Sequence, residues 1–169
     1  GESIQFKECI HEPKGNRLVF EGIVQPGCGP IFHVHLCQAE GFEVRQGTMA
    51  YQVRGHPVQY LAAGDKTVFE QAVPHRFWNA GDTELIMNSW AKPAGNLQRY
   101  MTILFLSTSK RHSNTPALFD AAYLTIQYKG EFDVLEIPYL VKSLLFPAVY
   151  WIGRAFGVYK KYELKKSDE

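Results

Sequence analysis

The chain lacks a charge imbalance, a long apolar run and more than a few cysteines, and each absence removes a class of function. Lys and Arg number 18 and Asp and Glu 17, giving a formal net charge of +1. That leaves no whole-chain electrostatic case for nucleic acid as a partner. The most apolar stretch, residues 138 to 156, is interrupted by Lys142, Arg154 and two prolines, so no membrane span is expected. Its stripe suits a helix packed on the rest of the protein or across a dimer interface, with interfacial binding beside Lys160 and Lys161 as the alternative. The three cysteines, Cys9, Cys28 and Cys37, show no CxxC spacing and are odd in number. They read as reduced thiols in a reducing compartment. Residues 2 to 9 carry Glu2, Lys7 and Glu8 and no apolar run, so no signal peptide and a cytoplasmic location are expected.

What remains is a chain of ordinary globular composition. Its 169 residues suit one domain with a substantial core. Hydrophobic content is 46%, and aromatics, at 14%, are plentiful enough to fill the interior of a β-barrel. Short alternating segments predict strands over 17–24, 40–46, 48–54, 58–61, 84–91 and 99–106. Gly55-His56, Gly64-Asp65 and Asn79-Ala80-Gly81-Asp82 punctuate them as turns. Many short strands with a turn every ten residues or so argue for a barrel or sandwich. After residue 107 the pattern changes. Ser107 to Asn114 reads as a basic linker, and Pro116 to Gln127 has helical spacing. A second helix is expected from Pro138, kinked at Pro147 and capped by Gly157, with a charged tail from Lys160. The expected division is a β-barrel domain over 1–107 and a helical extension over 108–169, packed on the barrel.

The chemistry-bearing residues are concentrated in one run. His33 and His35 are one residue apart on a strand and project to the same face. Glu40 shares a face with Phe42 and Val44, so a short turn can bring its carboxylate beside the imidazoles. A third imidazole arrives from His75 in the segment Val73-Pro74-His75-Arg76-Phe77-Trp78-Asn79. Three histidines and a carboxylate suit a first-row divalent transition metal, and iron, manganese, nickel, zinc and copper all accept that set. The competing reading is a barrel whose imidazoles are linked by water. Cys37 continues the alternation and could join the site, or be a small core residue beyond it.

Gly27, five residues, His33-Val34-His35, four residues, Glu40, six residues and Gly47 together resemble the first motif of the cupin superfamily at every fixed position. Gly64-Asp65 through His75 and Asn79 resembles the second. Where that motif usually has proline and glycine, this chain has Glu70 and Ala72. The resemblance covers about residues 15 to 107. It implies a double-stranded β-helix (cupin, jelly-roll) barrel, mainly β, holding a metal through His33, His35, Glu40 and His75, and it implies a homodimer. It implies no single reaction, because that fold hosts many. More weakly, Gly153 to Tyr159 resembles the end of a helical tail found in a subset of bacterial cupins.

Phe42, Tyr51, Phe77, Trp78 and Met87 could line an apolar substrate pocket around the metal, or be plain barrel core. Glu70 could act as a base or be a solvated surface glutamate, and His11, His56 and His112 read as surface residues. Two functions follow from these residues, beside a third reading as an inert barrel kept for structural or storage purposes. One is a metal-dependent enzyme, dioxygenase-like or an isomerase, acting on a small organic molecule. The other is a non-catalytic small-molecule binder or sensor with a structural metal.

Overall fold

The structure, a computed structural model, describes residues 1–109 and 115–162. Ten strands and three α-helices follow in chain order: β1 Glu2–Ile10, β2 Arg17–Val24, β3 His33–His35, β4 Ala39–Gln46, β5 Met49–Val53, β6 Gln59–Leu61, β7 Lys66–Phe69, β8 His75–Asn79, β9 Leu85–Lys92, α1 Leu97–Ser109, α2 Leu118–Gln127, β10 Phe132–Val134 and α3 Phe146–Ala155. Two compact units result. One is Gly1–Gln98 with Gly130–Glu136, and the other is Arg99–Lys129 with residues from Ile137 onward. The expected boundary at residue 107 falls inside α1.

The first unit is the expected double-stranded β-helix. Its two antiparallel five-stranded sheets run β1-β2-β9-β4-β7 and β10-β3-β8-β5-β6. Strict alternation is visible in β2 and β9, where every second residue is buried. Phe42 and Val44 from β4, Met49 from β5, Phe69 from β7, Phe77 from β8, and Leu85 and Met87 from β9 interlock as the core. Burying such side chains is worth roughly 1.5–3 kcal/mol each, which is what holds sheet on sheet. Gly47 makes the turn from β4 to β5 with φ of 85°, and a Cβ there would sit 2.7 Å from the Glu84 carbonyl oxygen. Both conditions select glycine.

The second unit packs α2 against α3 around Ala122, Phe146, Val149, Tyr150 and Tyr159. The expected helix over 116–127 is α2. The expected helix from Pro138 begins as a π-helical stretch, Val141–Leu145, and becomes α-helical at Phe146. Leu145 and Phe146 are both right-handed helical, so Pro147 sits where the π-helical stretch passes directly into α3, an irregularity of the kind proline brings to a helix. Gly157, with φ of 68°, donates its N–H to the Arg154 carbonyl and caps α3 as expected.

Three elements differ from the sequence reading. Residues 99–106, expected as the last barrel strand, belong to α1. The segment is apolar on both faces of a strand, so alternation could not decide; burial of Leu97, Ile103 and Ser107, with Tyr100 and Leu104 partly covered, follows a helical stripe. β10 returns from beyond α2 to pair with β3, matching Phe132 to His35 and Val134 to His33. β1 pairs along β2 although its own sequence has little apolar alternation. Lys110 to Asn114, including His112, and the tail beyond Tyr162 lie outside the described residues.

Candidate metal centre

His33 and His35 stand on β3, and His75 opens β8 directly across from His33 in the antiparallel register. Glu40 comes from β4 in the other sheet, where it pairs with Phe69 and Ala91. The cluster therefore joins both sheets. One ligand atom from each of the four residues lies within 4.8 Å of every other. His35, Glu40 and His75 are buried and His33 is half-buried.

Hydrogen bonds fix which imidazole nitrogen faces the centre. His33 Nδ1 lies 2.8 Å from the Ile31 carbonyl oxygen, and His75 Nδ1 lies 2.8 Å from that of Val73. A carbonyl accepts only, so each Nδ1 carries a proton, and in the neutral ring the lone pair is then on Nε2. This is the tautomer in which an imidazole binds a metal through Nε2. The Glu40 Oε2 atom is 3.6 Å from His35 Nε2 and 3.5 Å from His75 Nε2, longer than a good hydrogen bond. Glu40 Oε2, His75 Nε2 and His35 Nδ1 are buried without a hydrogen-bond partner. Each such orphan costs about 1–3 kcal/mol, and two of the three face the centre.

Charge follows the same logic. Burial holds the His33 imidazole down to about 3, helped by His35 and His75, with Glu40 opposing. Burial likewise lowers His35 against the pull of Glu40. Burial alone would raise the Glu40 carboxyl, but the imidazoles of His35, His75 and His33 outweigh it and leave it lowered. Neutral imidazoles at His33 and His35 beside the Glu40 carboxylate are protonation states that suit a divalent cation. The donor set and the orphaned atoms thus fit a divalent transition metal.

The walls are aromatic. Phe69 stacks on the His75 ring at 3.9 Å between centroids, and Phe132 meets His35 edge-on at 5.3 Å. Neither was singled out from the sequence. Phe69 could have been found from its inward parity; Phe132 could not, because it arrives from a segment more than thirty residues past the barrel strands. Of the five expected pocket residues, Phe42, Phe77 and Met87 are packed core, with Phe42 and Phe77 centroids 4.9 Å apart. Tyr51 packs on Phe69 at 5.4 Å and lines a cavity of about 250 Å³ with Val53, His56, Pro57 and Gln59. Trp78 does not face the centre. It is one residue out of phase with Phe77 and points to the other face of β8, where the Arg76 guanidinium lies 5.2 Å from its ring.

Cys37 is also outside the cluster. β3 ends at His35, the alternation stops, and the exposed thiol donates to the Gly130 carbonyl at 3.3 Å. Neither the ligand nor the buried-core reading of Cys37 holds. Glu70, His11 and His56 are exposed. Ala72, in the loop to His75, has φ of 60° and donates its N–H to the His35 carbonyl at 2.8 Å. Asn79 is a clamp: its Nδ2 donates to the Val24 and Thr83 carbonyls at 2.8 and 2.7 Å, and its Oδ1 accepts the Gly81 N–H. Ser89 on β9, paired with Phe42, is a further inward polar group whose buried Oγ has no partner.

Residues 20–90 match the cupin domain family model. The chain is 25% identical over 159 residues to the probable oxidoreductase virH of Hypocrea virens, covering 86% of this chain and 69% of that protein. Among solved structures, a cupin-like protein from Thermotoga maritima is 24% identical with a TM-score of 0.48, over 55% of this chain and 69% of that one. A protein with a double-stranded β-helix domain from Klebsiella pneumoniae is 24% identical with a TM-score of 0.45, over 52% and 75%. Among the described residues, no helix is long and apolar enough to cross a membrane. With both motifs in place on paired sheets, residues 20–90 form a cupin domain.

Proposed function

We propose that His33, His35 and His75, with the Glu40 carboxylate, hold a divalent transition metal, and that the chain is a metal-dependent enzyme performing oxidative chemistry on a small organic molecule. One observation carries the metal: four ligand atoms within 4.8 Å, with Glu40 Oε2 and His75 Nε2 buried and unpartnered. The oxidoreductase name of the Hypocrea virens relative supports the choice of reaction class. When bound, the metal would supply Lewis acidity, a lowered pKa for a bound oxygen ligand, or redox capacity, depending on whether it is iron, manganese, nickel, zinc or copper. The protein's part is orientation. The Ile31 and Val73 carbonyls hold two imidazoles in the ligating tautomer, and Phe69 and Phe132 keep the rings in place and water away.

A second reading is a small-molecule binder or sensor with a structural metal. It is favoured by the packing of Phe42, Phe77 and Met87, which fills the barrel beside the centre. Metal content by elemental mass spectrometry, on protein purified without a nickel column or chelator, tests the metal. About one metal per chain is expected from the four-ligand set, lost in the His33→Ala/His75→Ala variant. Wild type that stays empty after reconstitution overturns both readings. Oxygen consumption over a panel of small aromatic and aliphatic substrates then separates them: metal-dependent turnover selects the enzyme, and ligand-dependent stabilisation without product selects the binder.

A further inference from the structure

The second unit carries an apolar surface that its own core does not use. Phe146, Val149, Tyr150 and Gly153 on one side of α3 are buried. An exposed apolar stripe runs through Tyr139, Leu140, Leu144, Trp151 and Ile152, with Phe156 also exposed just past the end of α3. Trp151 is 64% and Phe156 82% exposed. A helix that is apolar on both sides has two apolar neighbours, and α2 is only one of them. Large exposed aromatics gathered on one short segment mark a binding face rather than ordinary surface.

Charge identifies what covers it. Residues 137–162 contain no Asp or Glu and four cations, Lys142, Arg154, Lys160 and Lys161. Lys161 is committed to Asp120 at 2.7 Å. The Arg154 guanidinium lies 5.8 Å from the Trp151 ring, at the edge of the stripe. Beside that edge a cavity of about 340 Å³ is lined by Tyr123, Gln127, Tyr150, Arg154, Tyr159 and Lys160. Two cations and several tyrosines around such a space suit a phosphate or carboxylate head. A second copy set face to face would offer Arg154 and Lys160 no acidic partner, because residues 137–162 carry none. An anionic lipid surface complements both features, taking the aromatic stripe into its interfacial layer and the cations at its headgroups.

We propose that this face of the second unit, from Tyr139 to Lys160, docks on an anionic lipid surface, with Trp151 and Phe156 inserted and Arg154 and Lys160 against the headgroups. The protein then lies on a membrane without crossing it. The test is sedimentation of the full chain with vesicles of phosphatidylcholine alone and of phosphatidylcholine mixed with phosphatidylserine. Binding to the mixed vesicles, weak for the neutral ones and weakened by salt, is expected. Trp151→Asp/Phe156→Asp should lower partition by about tenfold or more, because two inserted aromatics become charges. Arg154→Glu/Lys160→Glu keeps the stripe and should abolish the preference for phosphatidylserine. Tyr60→Asp, an exposed tyrosine on β6 of the barrel, should change nothing. Circular dichroism checks folding; if the aspartate pair unfolds the unit, the glutamate pair decides alone. Failure to sediment with either vesicle overturns the proposal. So does vesicle binding that survives both double variants, or a dimer in light scattering that the aspartate pair dissolves.

Discussion

The two units bury acidic groups in opposite ways, and the contrast separates a ligand site from a structural one. In the helical unit Asp120 is 5% exposed and fully served. Lys161 Nζ donates to Oδ1 at 2.7 Å and Ser107 Oγ donates to Oδ2 at 2.7 Å, while Ser107 accepts the Ala117 N–H at 2.9 Å. Burial alone would raise the Asp120 carboxyl, but the bonds from Lys161, Ser107 and Tyr162 outweigh it and hold it low. In the barrel Glu40 is 4% exposed and makes no comparable bond; its Oε2 is orphaned among imidazoles. A buried carboxylate with every lone pair met is complete within the chain. One that faces three inward imidazoles without a donor is what the proposed cation would complete.

Acid should break the barrel side of this contrast first, and by the largest margin. His33 titrates near 3 in the folded, metal-free protein, against about 6.5 unfolded. Below about pH 6.5 the unfolded chain therefore binds a proton that the native state refuses, and stability falls steadily toward about pH 3. His35, also lowered, adds to the slope. Glu40, lowered as well, contributes stability that is present above its ordinary carboxyl range and lost as pH falls below it. Urea melts of chelated protein at stepped pH measure this. A flat profile between pH 6.5 and 5 would show that the imidazoles are not buried neutral.

Metal should sharpen the contrast. A divalent ion at a hundred times its dissociation constant stabilises the folded state by about 2.7 kcal/mol if it binds only there. Asp120→Ala should keep that increment, and His33→Ala/His75→Ala should lose it. On metal-free stability the roles reverse. Asp120→Ala should cost about 2 kcal/mol, toward the low end for breaking a buried pair because the half-exposed Lys161 can turn to water. Glu40→Gln, which keeps the side chain's volume and removes a buried charge that has no donor, should cost less. Equal losses from both variants in metal-free urea melts would erase the distinction between a structural and a ligand-bearing cluster.

How much of this was legible in the sequence follows the range of the interactions. The four-residue cluster was readable because strand parity is local: His33 and His35 must share a face, and Glu40 must share one with Phe42. Parity also decides against Trp78, one residue out of phase with His75 and Phe77, and here the sequence reading chose aromatic character over phase. Residues 97–109 were misread because Tyr100 to Leu106 is apolar in either period. Phe132 and β10 were invisible because nothing local predicts a strand that crosses back to pair with β3. Asn79 was seen as a motif position, and its role as a clamp on the Val24 and Thr83 carbonyls needed coordinates.

The smallest effect concerns how each unit handles a left-handed residue. The helical unit ends α3 with Gly157 at φ of 68°, while the barrel places Ala72 at φ of 60° in the loop leading to His75. An alanine Cβ in that region costs about 1–2 kcal/mol, and glycine costs part of that back through the freedom it adds to the unfolded chain. Ala72→Gly should therefore stabilise by about 0.5–1 kcal/mol, and Gly157→Ala should destabilise by about 1 kcal/mol. At Gly157 a Cβ would meet only the flexible Lys160 side chain, at 3.1 Å, so backbone strain sets the cost there. Metal affinity distinguishes the two sites further. Gly157→Ala should leave it unchanged. If Ala72→Gly raises stability and leaves affinity alone, the Ala72 strain is incidental. If it raises stability while lowering affinity, the strained loop is what holds the Val73 carbonyl against His75 Nδ1, at 2.8 Å, in the ligating tautomer.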